Sequence, residues 1–394
     1  CMRKVLALLL CMAPLWGQGQ RRSASKRGIW GQCPGGPPIS AAPRVDRQLN
    51  RLANETGGQA FNLRGADLDK MTAIMEARLK GNQGPIVLAS GTLPDPAIRE
   101  FHVPVDSISR SVTFSVTVEL KCSINLLRPA GGPVETGPSF SITEFSSGRL
   151  VTVSPPEPGV WRVQVSGFGA FSVSAHADSD LHLDSFAFVE KGGRPGHEGL
   201  FPIRGQPVVG RAHMGQAGVS GPFRSVTFRL LSELGELLQE LNLAAVDKEQ
   251  FIGAVELPSE PFRVAAVGYE STGALYQRVY PALLRQQTVE VTAAPGPDSV
   301  AAGATAVVAF VVRNLGARAT FDVVIVDSAG ATQLTSRRLT LATGASATVT
   351  AELLAPADAA AGSEIALTAA ATSTSDPSIS NGVALSLRVG SSRE

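Results

Sequence analysis

The stretch from residue 176 to residue 184 reads HADSDLHLD and holds the densest group of side chains that could bind a metal ion. Histidine and aspartate occupy every second position, so an unbroken strand would present all of them on one face. Neighbours on that face lie about 6.6–7 Å apart, so two could share an ion, but all could not converge without a bend. The candidate ligands are His176, Asp178, Asp180, His182 and Asp184.

This stretch falls between two predicted modules, and its position favours a solvated polar linker. An ion held between the modules is the alternative, because carboxylate oxygens suit Ca²⁺ and imidazole nitrogens suit Zn²⁺. We therefore predict no bound metal and no cofactor. If an ion does bind, the alternating His and Asp residues are its candidate ligands.

Sequence motifs of enzyme active sites do not occur in the chain. There is no G-x-S-x-G turn, no phosphate-binding loop and no H-E-x-x-H pair, which position a nucleophile, a phosphate or a catalytic zinc. His197 and His213 lie in glycine-rich stretches without a nucleophile motif, and Gly167–Phe171 joins two predicted strands and does not open a helix. We predict no catalytic residue and no enzymatic activity.

The composition indicates a globular chain without a polyanion-binding surface. Its 394 residues suffice for about two to four ordinary domains. The formal net charge is +1, which gives no support to a nucleic-acid partner. Val, Ala, Gly, Ser and Thr dominate the second half, and this bias is typical of β-sandwiches with short turns.

Residues 1–19 have the pattern of a secretory signal segment. Arg3 and Lys4 precede an apolar run from Val5 to Trp16, and small residues follow. The run is shorter than the roughly 20 apolar residues that span a bilayer, so we predict a secreted, extracellular chain without a membrane span. A fragmentary or mistranslated start is the alternative, because a cysteine precedes the first methionine.

Two further features depend on secretion. Asn54-Glu55-Thr56 is an acceptor pattern for N-linked sugar, so Asn54 is a predicted glycosylation site. Residues 20–44 are rich in Gly, Pro, Ser and Arg, which indicates a disordered linker. Cys33 in this linker and Cys122 could form a disulfide, but nothing in the sequence fixes the distance between them.

The hydrophobic period changes after the linker. Apolar residues from Val45 to Ala53 recur at helical spacing, and Gly57-Gly58 ends the helix. Gln59–Leu63 predicts a short strand and Leu68–Leu79 a second helix, with Asp67 as its N-cap. The order helix, strand, helix is typical of an α/β fold with a mostly parallel sheet.

The phrases LNRLANETGGQAFNL and DLDKMTAIMEARL within residues 45–81 resemble the last helix, strand and helix of a von Willebrand factor A domain. The resemblance implies only the C-terminal fragment of such a domain. Complete A domains hold a divalent cation through the pattern Asp-x-Ser-x-Ser. The nearest match here, Asp106-Ser107-Ile108-Ser109, has Ile108 at a Ser position, so we expect no intact metal-ion-dependent adhesion site. We also expect the strand to lack partners and to leave its apolar face uncovered.

Beyond residue 81 the hydrophobic period is two, which predicts antiparallel β-sandwiches at residues 85–177, 183–285 and 288–390, the last of them Ig-like. In the first sandwich we expect Trp161 and Phe171 on facing buried strands that are separated by a break at Gly167. In the second, Gly235 predicts a hairpin turn. The predicted fold class is mainly β, with tandem Ig-like sandwiches preceded by an incomplete α/β fragment.

Three segments, LLRPAGGPV, PEPGVWRVQVSGFGAFSVSAHA and LPSEPFRVAAVGYESTGALYQRV, resemble the region that follows the A domain in hemicentins and related von Willebrand factor A domain-containing proteins. The Gly/Ala-rich last module fits the latter proteins better than the long Ig arrays of hemicentins. The resemblance implies an extracellular structural or adhesive protein whose partners are extracellular or matrix proteins. Carbohydrate binding by a lectin-like sandwich is the alternative, although only three Trp and three Tyr residues could form an aromatic platform.

Overall fold

The computed structural model describes residues 10–11, 31–32, 47–63, 65–79, 81–94, 98–193, 196–330 and 335–390. The chain forms two compact units. The first unit contains the described residues up to Phe186 together with Gly215–Val255 and Glu260–Leu284. The second unit contains Ala187–Met214, Glu256–Ser259 and the described residues from Arg285 onward. The predicted leader and linker lie outside the described residues except at positions 10–11 and 31–32.

After two short strands, the first unit has the helix, strand, helix order that the sequence predicts for residues 45–81. They are β1 (Leu10–Cys11), β2 (Gly31–Gln32), α1 (Arg47–Glu55), β3 (Phe61–Asn62), a 3₁₀ helix (Gly65–Lys70) and α2 (Met71–Leu79). Strand β3 pairs in parallel with β1, with Phe61 opposite Leu10. The expectation that this strand has no partner is therefore wrong. Among the described helices, none is both long enough and apolar enough to cross a membrane.

A seven-stranded antiparallel sheet follows in the first unit. Its strand order is β4-β9-β6-β8-β7, with β2 paired to β6 and β5 paired to β9. The additional strands are β4 (Gln83–Leu93), β5 (Ile98–Val105), β6 (Ser111–Leu127), β7 (Phe140–Phe145), β8 (Gly148–Val153) and β9 (Gly159–Asp178). Apart from β2, its strands lie between Gln83 and Asp178, and the sandwich at residues 85–177 stays a prediction.

Strand β9 is continuous, so the predicted break at Gly167 is wrong. Gly167 and Gly169 have φ angles of 155° and 85°, and the pairing of β6 with β9 shifts register on either side of Leu120. Glycine accommodates such a β-bulge because it tolerates positive φ, so the strand bends without ending. Trp161 and Phe171 are both buried in the same core, as the alternating pattern predicts.

The seven-stranded sheet covers the apolar face of the helix–strand–helix segment. Phe61, Leu63 and Ile74 form a core with Phe145 and Leu150 of β7 and β8. The rings of Phe61 and Phe145 meet edge to face with their centroids 5.9 Å apart, a favourable aromatic geometry. The expected uncovered face is therefore wrong, because Phe145 and Leu150 of the sheet pack against it.

A four-stranded sheet of the first unit has the order β14-β13-β17-β18. The strands that follow β9 are β10 (His182–Gly192), β11 (Gly199–Pro202), β12 (His213–Ser220), β13 (Phe223–Ser232), β14 (Leu237–Leu241), β15 (Ala244–Ala245), β16 (Gln250–Val255), β17 (Phe262–Glu270) and β18 (Leu275–Val279). Strands β13 and β14 form the hairpin that Gly235 predicts, and its φ of 80° is the left-handed conformation that glycine favours. Leu231 and Val267 pack with Leu88 of β4 in one core.

From Val289 onward, the described residues of the second unit form two sheets that share one core. Their orders are β19-β21-β24 and β20-β26-β25-β22-β23. The strands are β19 (Val289–Ala293), β20 (Ser299–Ala301), β21 (Thr305–Asn314), β22 (Ala319–Asp327), β23 (Thr335–Leu341), β24 (Ser346–Leu354), β25 (Glu364–Ser373) and β26 (Ser380–Gly390). Pairing is antiparallel except between β20 and β26. This is the sandwich that the period-two pattern predicts.

Candidate functional site

The alternating His/Asp stretch does not form one strand face. Strand β9 ends at Asp178 and β10 begins at His182, so the chain turns between them. Arg110 lies against this turn, donating from Nη1 to Asp180 Oδ2 at 2.9 Å and from Nη2 to Asp178 Oδ1 at 3.1 Å. The hydrogen bonds and the charge of Arg110 hold the pKa of Asp180 below its usual value. A guanidinium thus supplies the positive charge between these two carboxylates.

The other candidate ligands contact different groups. Asn82 Nδ2 lies 2.7 Å from His182 Nε2, His176 contacts Arg78, and Asp184 is exposed. Within the described ranges, no three His, Cys, Asp or Glu side chains are arranged to hold a metal ion. That these five residues would be the ligands if an ion binds stays a prediction.

His176 belongs to a polar network that ties α2 to β9. Arg78 donates to His176 Nδ1 at 2.8 Å, to Ser174 Oγ at 2.9 Å and to the side-chain oxygen of Gln59. Burial, and secondarily the charge of Arg78, hold the pKa of His176 well below its usual value. Burial also lowers the pKa of Arg78 to about 10. The imidazole is therefore neutral at physiological pH and accepts a hydrogen bond from the cation.

Asn54, the predicted glycosylation site, is half-buried within a second polar network. Its Nδ2 donates to Glu233, and Arg263 Nη2 donates to its Oδ1 at 2.6 Å and to its backbone oxygen. Ser90 Oγ donates to the same carboxylate oxygen of Glu233 at 3.2 Å. Burial lowers the pKa of Arg263 to about 10. The network ties the end of α1 to β17 and to the turn between β13 and β14.

A third network surrounds the residues that most nearly match a metal-ion-dependent adhesion site. Asp106 accepts hydrogen bonds from Ser109 Oγ at 2.8 Å and from Arg278 Nη2 at 2.7 Å, and it is fully buried. Ser107 Oγ donates to Glu270 Oε1 at 2.8 Å. Burial alone would raise the pKa of Glu270, but hydrogen bonds from Thr272, Ser107 and Ala274 outweigh it and lower the pKa to about 2. Arginine and hydroxyl donors thus satisfy these two carboxylates.

One of the two predicted disulfide partners can be located. Cys122 lies in β6 and takes part in a disulfide bond. Cys33 lies outside the described residues. Gln32, the residue before it in the sequence, pairs with Ser123 in the ladder between β2 and β6.

A cleft of about 670 Å³ opens in the first unit between β5 and the β13–β14 hairpin. Arg99 and Arg229 line it, together with the apolar side chains of Ile98, Leu234 and Leu237. Arg99 Nη1 donates to Glu236 at 3.4 Å and Arg229 Nη2 donates to Glu240 at 3.0 Å. The Nε atoms of both arginines are shielded from solvent and have no hydrogen-bond partner.

Sequence reasoning did not single out this cleft. Its two sides come from Ile98–His102 and Arg229–Leu237, which are more than a hundred positions apart. Each side is an ordinary alternating strand, so no local motif marks either of them. The available signal was that each segment contains an arginine and an exposed apolar residue, Ile98 in one and Leu237 in the other, which is common on protein surfaces.

Two stretches of the chain match known domain families. A family model described as hemicentin galactose-binding domain-like matches residues 88–180, and one described as VWA7 Ig-like domain matches residues 289–390. The chain is thus similar to a hemicentin domain over residues 88–180 and to the VWA7 Ig-like domain over residues 289–390. The expected resemblance to hemicentins and to a von Willebrand factor A domain-containing protein is thereby confirmed for the two modules, while the A-domain fragment at residues 45–81 stays a prediction.

Whole-protein relatives are more distant. Hemicentin-1 of Mus musculus and of Homo sapiens is each 24% identical to this chain over 238 residues, which are 58% of this chain. The chain spans only 4% of the length of hemicentin-1.

Solved structures give weaker likenesses. A DUF4785 family protein of Legionella pneumophila is 10% identical with a TM-score of 0.36, the match covering 76% of this chain and 91% of that one. Escherichia coli α2-macroglobulin is 11% identical with a TM-score of 0.24, the match covering 78% of this chain and 44% of that one. TM-scores this low support no conclusion about this chain.

Proposed function

We propose that this chain is part of an extracellular, non-enzymatic protein that makes protein–protein contacts through its β modules. The observation that carries the proposal is the pair of module matches at residues 88–180 and 289–390, because hemicentin relatives are extracellular matrix proteins. Tandem sandwiches present edge strands and loop tips, which are the surfaces through which such modules bind partners.

The proposal includes the domain organisation inferred from the sequence. Residues 1–19 act as a secretory signal, and residues 45–81 derive from the C-terminal part of a von Willebrand factor A domain. The order of α1, β3 and α2 supports this derivation. The β modules extend over residues 85–177, 183–285 and 288–390.

Adhesion by this chain does not depend on a divalent cation. The Asp-Ser-Ile-Ser segment that most nearly matches an adhesion site holds Asp106 in a buried ion pair with Arg278. A carboxylate that is bonded to a guanidinium and excluded from solvent is a poor cation ligand, because the ion would have to displace the arginine.

Carbohydrate binding is the second candidate, and the description of the family matched by residues 88–180 favours it. Sugar-binding surfaces use exposed aromatic rings, whose apolar faces pack against the ligand. Trp161, the only tryptophan in this module, is fully buried and packs against Phe114 with ring centroids 5.4 Å apart. We therefore place protein contact ahead of glycan contact.

Extracellular proximity labelling of cells that express the chain with its own N-terminus would test this proposal. The chain, fused at its C-terminus to a peroxidase, should reach the medium and label matrix proteins above the level given by a secreted peroxidase alone. Retention in the cytosol would contradict the extracellular part. Labelling that galactose competes away would favour the carbohydrate alternative over protein contact.

A further inference from the structure

Part of the seven-stranded sheet buries a polar face beneath β3 and α2. Side chains alternate along β6, and the residues that point into the core of the module include Phe114. Thr113 and Ser115 therefore point to the opposite face, where both are fully buried. Ser115 pairs with Ser174 of β9, which is 2% exposed. Sheet faces built from Ser and Thr usually contact water, so the enclosure of this face needs a reason.

The part of the chain that encloses this face comprises residues 59–63 and 65–79, which we call the cover segment. The side chain of Gln59 donates to the backbone oxygen of Ser115 at 3.5 Å, and Arg78 donates to β9. The apolar packing of the cover segment is against β7 and β8. Hydrogen bonds between polar groups therefore hold it over β6 and β9.

Some of the enclosed polar groups are incompletely paired. Ser115 Oγ has no hydrogen-bond partner among the described residues. The described hydrogen bonds of Arg78 go to His176, Ser174 and Gln59, which are all uncharged, so none of them brings a carboxylate to the buried guanidinium. Buried hydroxyls and cations without such partners lose favourable hydration. Water would restore that hydration if the cover segment lifted, so these groups favour an open arrangement.

His176 makes the closed arrangement depend on pH. Arg78 Nη1 lies 2.8 Å from Nδ1 of this histidine and 3.5 Å from its Nε2. A neutral imidazole accepts the hydrogen bond of the guanidinium through a ring nitrogen, whereas a protonated imidazole has only donors. Protonation of His176 would therefore remove this hydrogen bond and place two positive charges within contact distance of each other.

The other groups around His176 do not compensate for a second positive charge. Strands β6 and β4 place the uncharged residues Thr113 and Pro85 opposite it in the two ladders. Asp178, two residues further along β9, accepts a hydrogen bond from Arg110. Burial and the charge of the α2 guanidinium both depress the pKa of His176. The closed arrangement is thus built around the neutral imidazole.

We propose that the cover segment is a displaceable lid, which is closed at neutral pH and lifts from the polar face of the sheet when His176 takes up a proton. Lifting exposes Ser115 and Ser174 to water. Helix α1 stays attached and tethers the lid, because Asn54 and its contacts with Arg263 lie outside the cover segment. This inference concerns the first unit alone and does not depend on the proposed function.

Hydrogen-exchange mass spectrometry of the purified intact chain, at about pH 7.5 and about pH 5.5, tests the proposal. After correction for the intrinsic pH dependence of amide exchange, the open fraction of the cover segment should rise about tenfold, because the open form binds the proton with a pKa of about 6.5. Peptides from β17, in the same unit, should stay better protected than the cover segment at both pH values. An open fraction that does not change with pH would overturn the proposal, and so would equal protection of β17 and the cover segment.

A variant of the histidine tests its role. His176→Gln keeps a hydrogen-bond acceptor for Arg78 but does not titrate. It should abolish the acid-induced rise, whereas the matched control Ser172→Ala, on the same face of β9, should retain it. A rise that persists in His176→Gln, or that is lost in Ser172→Ala, would overturn the assignment to His176.

A second pair of variants tests the lid even if His176→Gln fails to close at any pH. Ser115→Ala removes the unpartnered hydroxyl and should raise the protection of the cover segment roughly fivefold at neutral pH. The control Ser109→Ala removes a hydroxyl that donates to Asp106, and it should not raise that protection. Lower protection in Ser115→Ala would overturn the proposal, because the closed form would then depend on this hydroxyl.

Two further outcomes separate the possibilities. Acid-induced opening that persists in His176→Gln but is lost in Asp67→Asn would overturn the role of His176. It would identify Asp67, which accepts hydrogen bonds from Ser146, as the group that titrates. A cover segment that stays closed at both pH values would overturn the lid alone and leave the proposed function standing, because binding to matrix proteins is measured separately at neutral pH.

Discussion

Arg278 and Asp106 form an ion pair of 2.7 Å although their side chains are only 1% and 0% exposed. Arg278 Nε also donates to the backbone oxygen of Leu181 at 2.7 Å, and Ser109 donates to Asp106. These added hydrogen bonds matter, because a buried ion pair offsets its desolvation cost only when its remaining donors and acceptors are satisfied. The pair therefore fixes β18 against the turn after β5 within the first unit.

Removing one partner of this pair should destabilise the first unit strongly. Arg278→Met leaves the Asp106 carboxylate buried without its cation, which costs about 3–5 kcal/mol. Urea unfolding followed by hydrogen-exchange mass spectrometry of peptides from β5 and β18 would measure the loss.

A matched change elsewhere provides the control for this experiment. Arg338→Met breaks a solvent-exposed pair with Asp322 in the second unit and should cost much less stability than Arg278→Met. Combining Arg278→Met with Asp106→Leu should recover part of the loss, because no unpaired charge then remains. Equal losses for Arg278→Met and Arg338→Met would contradict the structural importance of the buried pair.

The free energy of unfolding of the first unit should decrease as the pH drops below neutral, because His176 is buried in its neutral form. Its folded pKa is depressed by burial and by Arg78, whereas the unfolded chain has a pKa of about 6.5. The unfolded state thus binds the proton more readily, so the contribution of His176 is fully present above about pH 6.5 and is lost as the pH falls toward the folded pKa. The slope is at most about 1.4 kcal/mol per pH unit.

Comparison of variants isolates this effect. The unfolding free energy of the wild-type chain should decline more steeply between about pH 7 and pH 5 than that of His176→Gln. Parallel curves for wild type and His176→Gln would show that the imidazole is not held neutral by its surroundings.

The sequon at Asn54 predicts a sugar on chains that pass through the secretory pathway. Enzymatic removal of N-linked sugar should increase the electrophoretic mobility of the wild type and of Thr56→Ser, but not of Thr56→Ala. Because Asn54 Nδ2 donates to Glu233 in the folded chain, the sugar must be attached before the first unit closes. An unchanged wild-type mobility would refute the predicted modification.

The disulfide of Cys122 should join it to Cys33. Gln32 pairs with Ser123 in an antiparallel ladder, and Cys33 follows Gln32 in the sequence as Cys122 precedes Ser123. Proteolysis without reduction should yield a linked peptide pair containing both cysteines, and Cys33→Ser should expose the Cys122 thiol to alkylation. A linked pair that joins Cys122 to Cys11 would exclude this connectivity.

Local patterns predicted the parts of the fold that depend on local chemistry. The alternation along β21 and β22 predicted the last sandwich because Phe310 and Phe321 recur on the buried faces. Gly235 predicted its hairpin because few other residues adopt positive φ without strain. The predicted strand break at Gly167 was wrong for the same reason, since a glycine with positive φ occurs at a bulge within a strand as readily as at a turn between strands.

Long-range relationships could not be predicted from the sequence. Arg278 and Asp106 are separated by 172 positions, and Asn54 and Arg263 by 209. A charged residue in an alternating strand gives no sign that it is buried until its partner is known. The packing of β7 and β8 against Phe61 and Ile74 also joins segments that are far apart in the sequence, so no local pattern predicted it. The same holds for the cleft between β5 and the β13–β14 hairpin.

The most direct test of the account is the binding of the intact chain to purified extracellular matrix proteins by surface plasmon resonance, with and without EDTA. We expect saturable binding to at least one matrix protein, unchanged by EDTA. The reason is that Asp106, the carboxylate that most nearly matches a cation ligand, is already paired with Arg278. Absence of saturable binding across the panel would contradict the proposed protein contacts, and binding that EDTA abolishes would contradict their independence of divalent cations.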